Sequence, residues 1–253
     1  MKIVICSKGR YQGEIKTINA LQGIFKKEDI ILLVEPNEVA LYHGTYGGQA
    51  TIKALPQNGQ GLRYSRNFAY QLFDEPIAMC DDDITGFYIR ITQKKMRKLF
   101  PKELKRMFEK LEDSSEEYPE VTVSYRPSNY LFEGTKKENT RAWCFKVWNL
   151  RKLKELGVRI NTENNLYEDY DFTLTVLSKG GKNLSYFNYA FDCIAMGKNK
   201  GGVSTYRREL NEKSVAYMKE KWGNILRVFY SENHKQNEIS VYWKKAVKSF
   251  SVL

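Results

Sequence analysis

Four short, almost wholly apolar runs punctuate the first eighty residues: Lys2–Cys6, Ile30–Val34, Thr51–Leu55 and Ile77–Cys80. A strand with one wet face alternates apolar with polar residues. A run that is apolar throughout must be covered on both faces, which is the habit of parallel sheets flanked by helices. The segments between the runs supply such helices. Ile15, Ile18, Leu21 and Ile24 recur at roughly helical spacing in a helix predicted over Ile15–Lys26, and Phe68, Ala69, Leu72 and Phe73 do so in one predicted over Leu62–Phe73. The expectation is an α/β fold with a mixed, mostly parallel central sheet flanked by helices. Ligands in such folds bind beyond the carboxyl ends of the strands.

The later sequence is less regular. Lys94–Tyr118 is highly charged and predicts a surface helix from about Lys102. Val121–Arg126, Arg141–Asn149 and Leu184–Ala195 read as strands, and Tyr130–Phe132 as a further short one. Tyr167–Ser178 and Asn211–Trp222 read as helices, with Ile225–Tyr230 and Ile239–Trp243 as closing strands. No repeat, low-complexity tract or composition break divides the 253 residues. A single domain over 1–253 is expected, with a ligand-binding half at 1–92 and a second half at 93–253.

Three consecutive aspartates, Asp81, Asp82 and Asp83, follow the fourth apolar run, and another apolar run, Gly86–Ile89, comes directly after. Three like charges at the end of a buried strand repel one another. A hard divalent cation, Mn2+ or Mg2+, removes that repulsion. Such ions take one or two protein carboxylates, here Asp81 and Asp83, and complete their shell with phosphate oxygens. An acidic surface turn is the plainer alternative. A second acidic cluster, Glu168-Asp169-Tyr170-Asp171, opens a predicted helix. Acids there are explained by the helix dipole, or by a carboxylate placed to act as general base. Two further stretches suit an anion. Gly59 and Gly61 lead into a helix carrying Arg63 and Arg66, and the loop from Gly197 to Arg208 combines Gly201-Gly202 with Lys198, Lys200, Arg207 and Arg208.

Forty-one Lys and Arg against thirty Asp and Glu give a formal charge of +11, which favours polyanionic partners. Four isolated cysteines and two histidines show no zinc-ligand spacing, so reduced, buried thiols are expected. No apolar run approaches the ~20 residues of a membrane span. The N-terminal apolar run of four residues is too short for a signal-peptide core. A cytoplasmic protein is expected, in the host cytoplasm if phage-encoded, with no membrane partner.

Together and in this order, these pieces resemble glycosyltransferases of the GT-A fold. More narrowly, the Ser7-Lys8-Gly9-Arg10 opening, the Gly61-to-Asn67 helix start and the aspartate triplet resemble the TET-associated glycosyltransferases of bacteriophages. The resemblance implies a nucleotide-sugar donor, expected to be a UDP-sugar, bound in the first half and an acceptor bound in the second. The donor set is then Ser7, Lys8, Arg10, Glu35, Arg63, Arg66, Asn67, Asp81, Asp82, Lys198, Gly201, Gly202 and Arg207, with Asp81 and Asp83 on the metal. It implies Asp169 as the base that activates the acceptor hydroxyl, with Asp171 and Glu168 as further catalytic carboxylates, in an inverting displacement. The implied acceptor is DNA containing a 5-hydroxymethylpyrimidine, reached through the groove or by flipping the base. Lys94, Lys95, Arg97, Lys98, Lys244, Lys245 and Lys248 are the charges proposed to meet it. One departure stands out: relatives often add a histidine to the metal, and no histidine lies between His43 and His234. The competing readings are a glycosyltransferase with a saccharide or protein acceptor, a nucleotidyltransferase, and a non-catalytic nucleic-acid-binding module.

Overall fold

A computed structural model describes residues 1–162, 166–194 and 207–251, with the side chains of Arg207 and Arg208 excepted. Among the described residues, ten strands form one sheet. The first four are β1 (Lys2–Cys6), β2 (Ile30–Val34), β3 (Thr51–Ala54) and β4 (Ile77–Asp81), close to the apolar runs that announce them. They continue through β5 (Ile84–Thr92), β6 (Lys95–Lys98), β7 (Glu120–Tyr125), β8 (Lys136–Glu138), β9 (Lys146–Trp148) and β10 (Asn183–Cys193). The order across the sheet is β3-β2-β1-β4-β9-β7-β10-β5-β6, with β8 on β10. β1, β2, β3 and β4 are mutually parallel. The short β9 runs against both β4 and β7, so β7 and its parallel neighbour β10 share the direction of the first four.

Alternation along the strands sorts the core into two layers. Ile3 and Ile5 of β1, Leu32 of β2 and Cys80 of β4 face one layer. It is closed by α1 (Lys16–Leu21), α2 (Val39–Tyr46) and α4 (Pro101–Ser115). Val4 and Cys6, Leu33, and Ile77 and Met79 face the other. That side is covered by α3 (Gly61–Leu72), α5 (Leu150–Glu155) and α6 (Glu168–Ser178). A third cluster lies beyond the sheet. There α7 (Arg207–Trp222), the antiparallel hairpin β11 (Leu226–Ser231) and β12 (Gln236–Val241), and α8 (Trp243–Phe250) pack on Leu174 of α6.

Several boundaries differ from expectation. The first helix stops at Leu21, because Gly23 turns with φ +73 and Ile24 leaves the helix. Tyr130–Phe132 is not a strand; Arg126–Leu131 forms a 3-10 turn, and the Arg90 guanidinium donates to the Asn129 and Phe132 carbonyls. Of the strand expected over Arg141–Asn149, only Lys146–Trp148 pairs, because Arg141 turns instead to an acid of α6. Trp243 closes no strand; it opens α8.

Candidate active site

The carboxyl ends of β1, β2 and β4 open into a cleft of about 660 Å³. The aspartate triplet sits on its floor as the tight turn between β4 and β5. Thr17 of α1 pins that turn. Its hydroxyl donates to the Asp81 carbonyl at 2.6 Å and accepts the Ile84 N–H at 2.9 Å, and its own N–H donates to the Asp82 carbonyl at 3.3 Å.

The three acid side chains line the cleft with different neighbours. Asp82 is nearly buried and accepts the Ser7 hydroxyl at 2.5 Å and the Arg10 guanidinium. Ser7 also meets the Tyr42 hydroxyl at 2.9 Å, and that hydroxyl accepts the Arg10 N–H at 2.9 Å. Burial lifts the Asp82 carboxyl to about 7; Arg10 and Ser7 pull against it, while Asp83 and Asp81 add to it. Burial also raises Asp81, against the attraction of Arg66, whose Nη2 is 2.6 Å from its Oδ1. The expected repulsion is therefore present, and buried, in the folded chain. Beside the triplet, Glu35 after β2 accepts Lys8 Nζ at 2.7 Å and the Gly59 N–H at 2.8 Å. Gly59 is held at φ +75, a conformation that disfavours any side chain.

α3 and α6 are joined by matched pairs at three-residue spacing, which places each pair on one helix face. Arg63 meets Asp171, with Nη1 to Oδ2 at 3.0 Å, and Arg66 meets Glu168. Burial alone would raise Glu168, but the charges of Arg66, Lys146 and Arg63 prevail and hold it at about 2. Lys146 of β9 is buried in the same layer; desolvation and Arg66 lower it, against Glu120. Asp171 is saturated from α7 as well, by Lys221 Nζ at 2.8 Å and Trp222 Nε1 at 2.9 Å.

Asp169 opens into the cleft from the first turn of α6. Arg141 donates Nε to its Oδ2 at 2.7 Å, with Nη2 2.6 Å from the same oxygen, and gives Nη1 to the Tyr170 hydroxyl at 2.9 Å. Its guanidinium carbon lies 3.6 Å from the centre of the Trp143 ring and 4.1 Å from that of Tyr170. The remaining wall comes from the C-terminal elements through Glu209, Leu210, His234, Glu238 and Ile239. The triplet, the glycines Gly59 and Gly61 and the acids Glu168 and Asp169 of α6 thus line one cleft.

The family model of the TET-Associated Glycosyltransferase matches residues 1–202. The chain belongs to this glycosyltransferase family. No curated protein matches its sequence. Among solved structures, residues 1–349 of S. aureus TarS in complex with UDP-GlcNAc align with a TM-score of 0.56 at 15% identity, covering 99% of this chain and 72% of that one. The Pyrobaculum calidifontis mannosyltransferase PcManGT, in complex with GDP-Man and Mn2+, aligns with a TM-score of 0.50 at 12% identity, covering 87% of this chain and 64% of that one. At such identities the likeness is one of fold, and the fold is GT-A.

In this glycosyltransferase the cleft gathers Ser7, Lys8, Arg10, Glu35, Asp81, Asp82, Asp83, Glu168 and Asp169 from the expected set. Arg63, Arg66, Asn67 and Asp171 do not line it. Arg63 pairs with Asp171, Arg66 reaches the lining acids Glu168 and Asp81 from behind them, and Asn67 is half-buried on α3. Lys198, Gly201 and Gly202, with the Arg207 side chain, lie outside the described residues. Lys94, Lys95, Arg97 and Lys98 lie on or beside the edge strand β6, and Lys244, Lys245 and Lys248 on α8. Sequence reading missed Tyr42, Arg141, Trp143 and His234. A signal existed for Tyr42: Pro36 before, Gly47-Gly48 after, and Val39, Tyr42, His43 and Tyr46 at helical spacing between them mark α2. Arg141 and Trp143 carried none, since they sit in a loop whose partners are distant in sequence.

Proposed function

We propose that this glycosyltransferase moves a sugar from a UDP-sugar to the hydroxyl of a 5-hydroxymethylpyrimidine in DNA, with a divalent cation and with inversion at the anomeric carbon. The observation that carries the reading is that two acid groups line one cleft: the triplet at the end of β4 and Asp169 at the start of α6. On this reading the donor is held at the first and the acceptor hydroxyl meets the second.

The triplet fits a hard cation. It offers oxygen donors only, and burial works against ionisation of Asp81 and Asp82, with the charge of Glu168 adding to it at Asp81 and those of Asp83 and Asp81 at Asp82. Among the described residues no group of three or more His, Cys, Asp or Glu is arranged for a metal. Two carboxylates, Asp83 with Asp81, suit an ion that draws its other oxygens from a diphosphate. When bound there, the cation neutralises charge on the departing diphosphate. Arg10 and Lys8 add fixed positive charge at the same rim. Asp169 takes the proton from the acceptor hydroxyl. The UDP-GlcNAc of TarS and the Mn2+ of PcManGT support the donor class and the ion. The family name and the +11 charge support a DNA acceptor.

The test is transfer from radiolabelled UDP-glucose or UDP-GlcNAc, with manganese, to duplexes carrying hydroxymethylcytosine, hydroxymethyluracil or neither. Label should enter hydroxymethylated duplexes alone, and NMR of the product should show inverted stereochemistry. Thermal unfolding with UDP and manganese separates donor from acceptor. A ligand at 100 times its Kd adds about 2.7 kcal/mol, and Asp83→Asn should abolish the gain. Release of pyrophosphate from a nucleoside triphosphate would replace this reading with nucleotidyl transfer. Retention of configuration would remove Asp169 as the single base.

A further inference from the structure

Asp169 could present either carboxylate oxygen to the cleft, and what fixes the choice is Arg141. Arginine and carboxylate commonly meet as fork on fork, with one N–H to each oxygen. Here Nε and Nη2 converge instead on Oδ2, at 2.7 and 2.6 Å. Among the described residues no donor reaches Oδ1. We infer that Arg141 is a positioning residue that locks Oδ2 and leaves Oδ1 to take the acceptor proton. This rests on the reading of Asp169 as the base.

The guanidinium is itself immobilised on every side. Its third donor goes to the Tyr170 hydroxyl at 2.9 Å. Its faces lie against Trp143 at 3.6 Å and Tyr170 at 4.1 Å, so cation–π attraction holds the plane. Tyr170 in turn stacks on Trp243 of α8, with ring centres 6.1 Å apart and planes at 21°. The clamp thus begins in a loop before β9, passes through the first turn of α6 and ends in an element beyond residue 202, where the family match stops. A base held this way has little torsional freedom left, which is the condition for a near-attack geometry. As the new bond forms between the acceptor oxygen and the anomeric carbon, the hydroxyl proton passes to Oδ1. The bond from that carbon to the diphosphate oxygen breaks, and its electron pair leaves on UDP.

The test compares steady-state transfer to hydroxymethylated duplex in Asp169→Asn, Arg141→Ala, Arg141→Lys and Tyr170→Phe. Asp169→Asn should lose about 10²–10⁴ in kcat. Arg141→Ala should lose about a hundredfold in kcat with KM for the UDP-sugar within about twofold of the parent. Added millimolar guanidinium should return part of that loss in Arg141→Ala and none in Asp169→Asn. Tyr170→Phe, which frees one N–H, should lose a few-fold in kcat. Retained kcat in Arg141→Ala beside an inactive Asp169→Asn overturns the positioning role and leaves the base intact. Retained kcat in Asp169→Asn overturns the base reading itself. If Arg141→Ala does not fold, Arg141→Lys decides: it keeps the charge without the fork, and an unchanged kcat overturns the assignment.

Discussion

Asp169 and Asp171 stand two residues apart and fall into different chemistry. Asp171 accepts Arg63 at Oδ2 and Lys221 and Trp222 at Oδ1, all inside the protein. Removing one partner of a buried pair strands the other charge, at a cost of about 3–5 kcal/mol. Asp171→Ala should therefore lower Tm by several degrees while folded protein, assayed cold, keeps a kcat near that of the parent. A loss of kcat at unchanged Tm would move Asp171 into the catalytic machinery. Glu168 makes a pH prediction. Its folded value of about 2 lies below its ordinary 4.5, so protons favour the unfolded chain. Its contribution is complete above 4.5 and is lost as pH falls from there towards about 2. The Tm gap between the parent and Glu168→Gln should shrink across that window. A gap constant with pH would mean that Arg66 does not hold this carboxylate.

At the scale of elements, the site depends on strand ends being held level. β1 and β4 are in register from Lys2 and Ile77 to Cys6 and Asp81, which sets Ser7 beside the triplet. α4 backs this sheet with Leu104, Met107, Phe108 and Leu111 on one face. Phe108 lies edge-on to Phe25, Phe87 and Phe145 at 4.8–5.6 Å. Truncating a buried aromatic to alanine costs about 3–5 kcal/mol. Phe108→Ala should show that loss in urea unfolding with the m-value unchanged. A loss under about 1 kcal/mol would mean that this layer repacks around the gap.

At the scale of the molecule, α3 and α6 are tied by the ladder of Arg63 and Arg66 with Asp171 and Glu168, and the C-terminal elements line part of the cleft. No described helix is long and apolar enough to cross a membrane. The formal charge of the whole chain is +11. If DNA is the acceptor, each neutralised phosphate releases counterions, and binding weakens steeply with salt. KM for hydroxymethylated duplex should then rise at least about tenfold between 50 and 200 mM salt, with KM for the UDP-sugar nearly flat. A flat KM for DNA would argue for an acceptor of another kind.

The sequence by itself determined the layered α/β fold and the floor of the cleft. Both rest on local signals: runs apolar on both faces must be buried on both, and three adjacent carboxylates after such a run need a cation or a special turn. The acids of α6 were legible for the same reason, since they are neighbours in the chain. That Glu168 and Asp169 line the cleft while Asp171 does not was not legible. That sorting depends on partners tens of residues away: Arg63 and Lys221 take Asp171 inward, while Arg66 pairs with Glu168 and Arg141 with Asp169 at the cleft. Pairing of buried charges is a matter of three-dimensional proximity and desolvation, and no spacing along the chain encodes it. Only the tertiary structure, by packing α3, α6, α7 and the loop before β9 together, decided which carboxylates line the cleft and which is drawn inside.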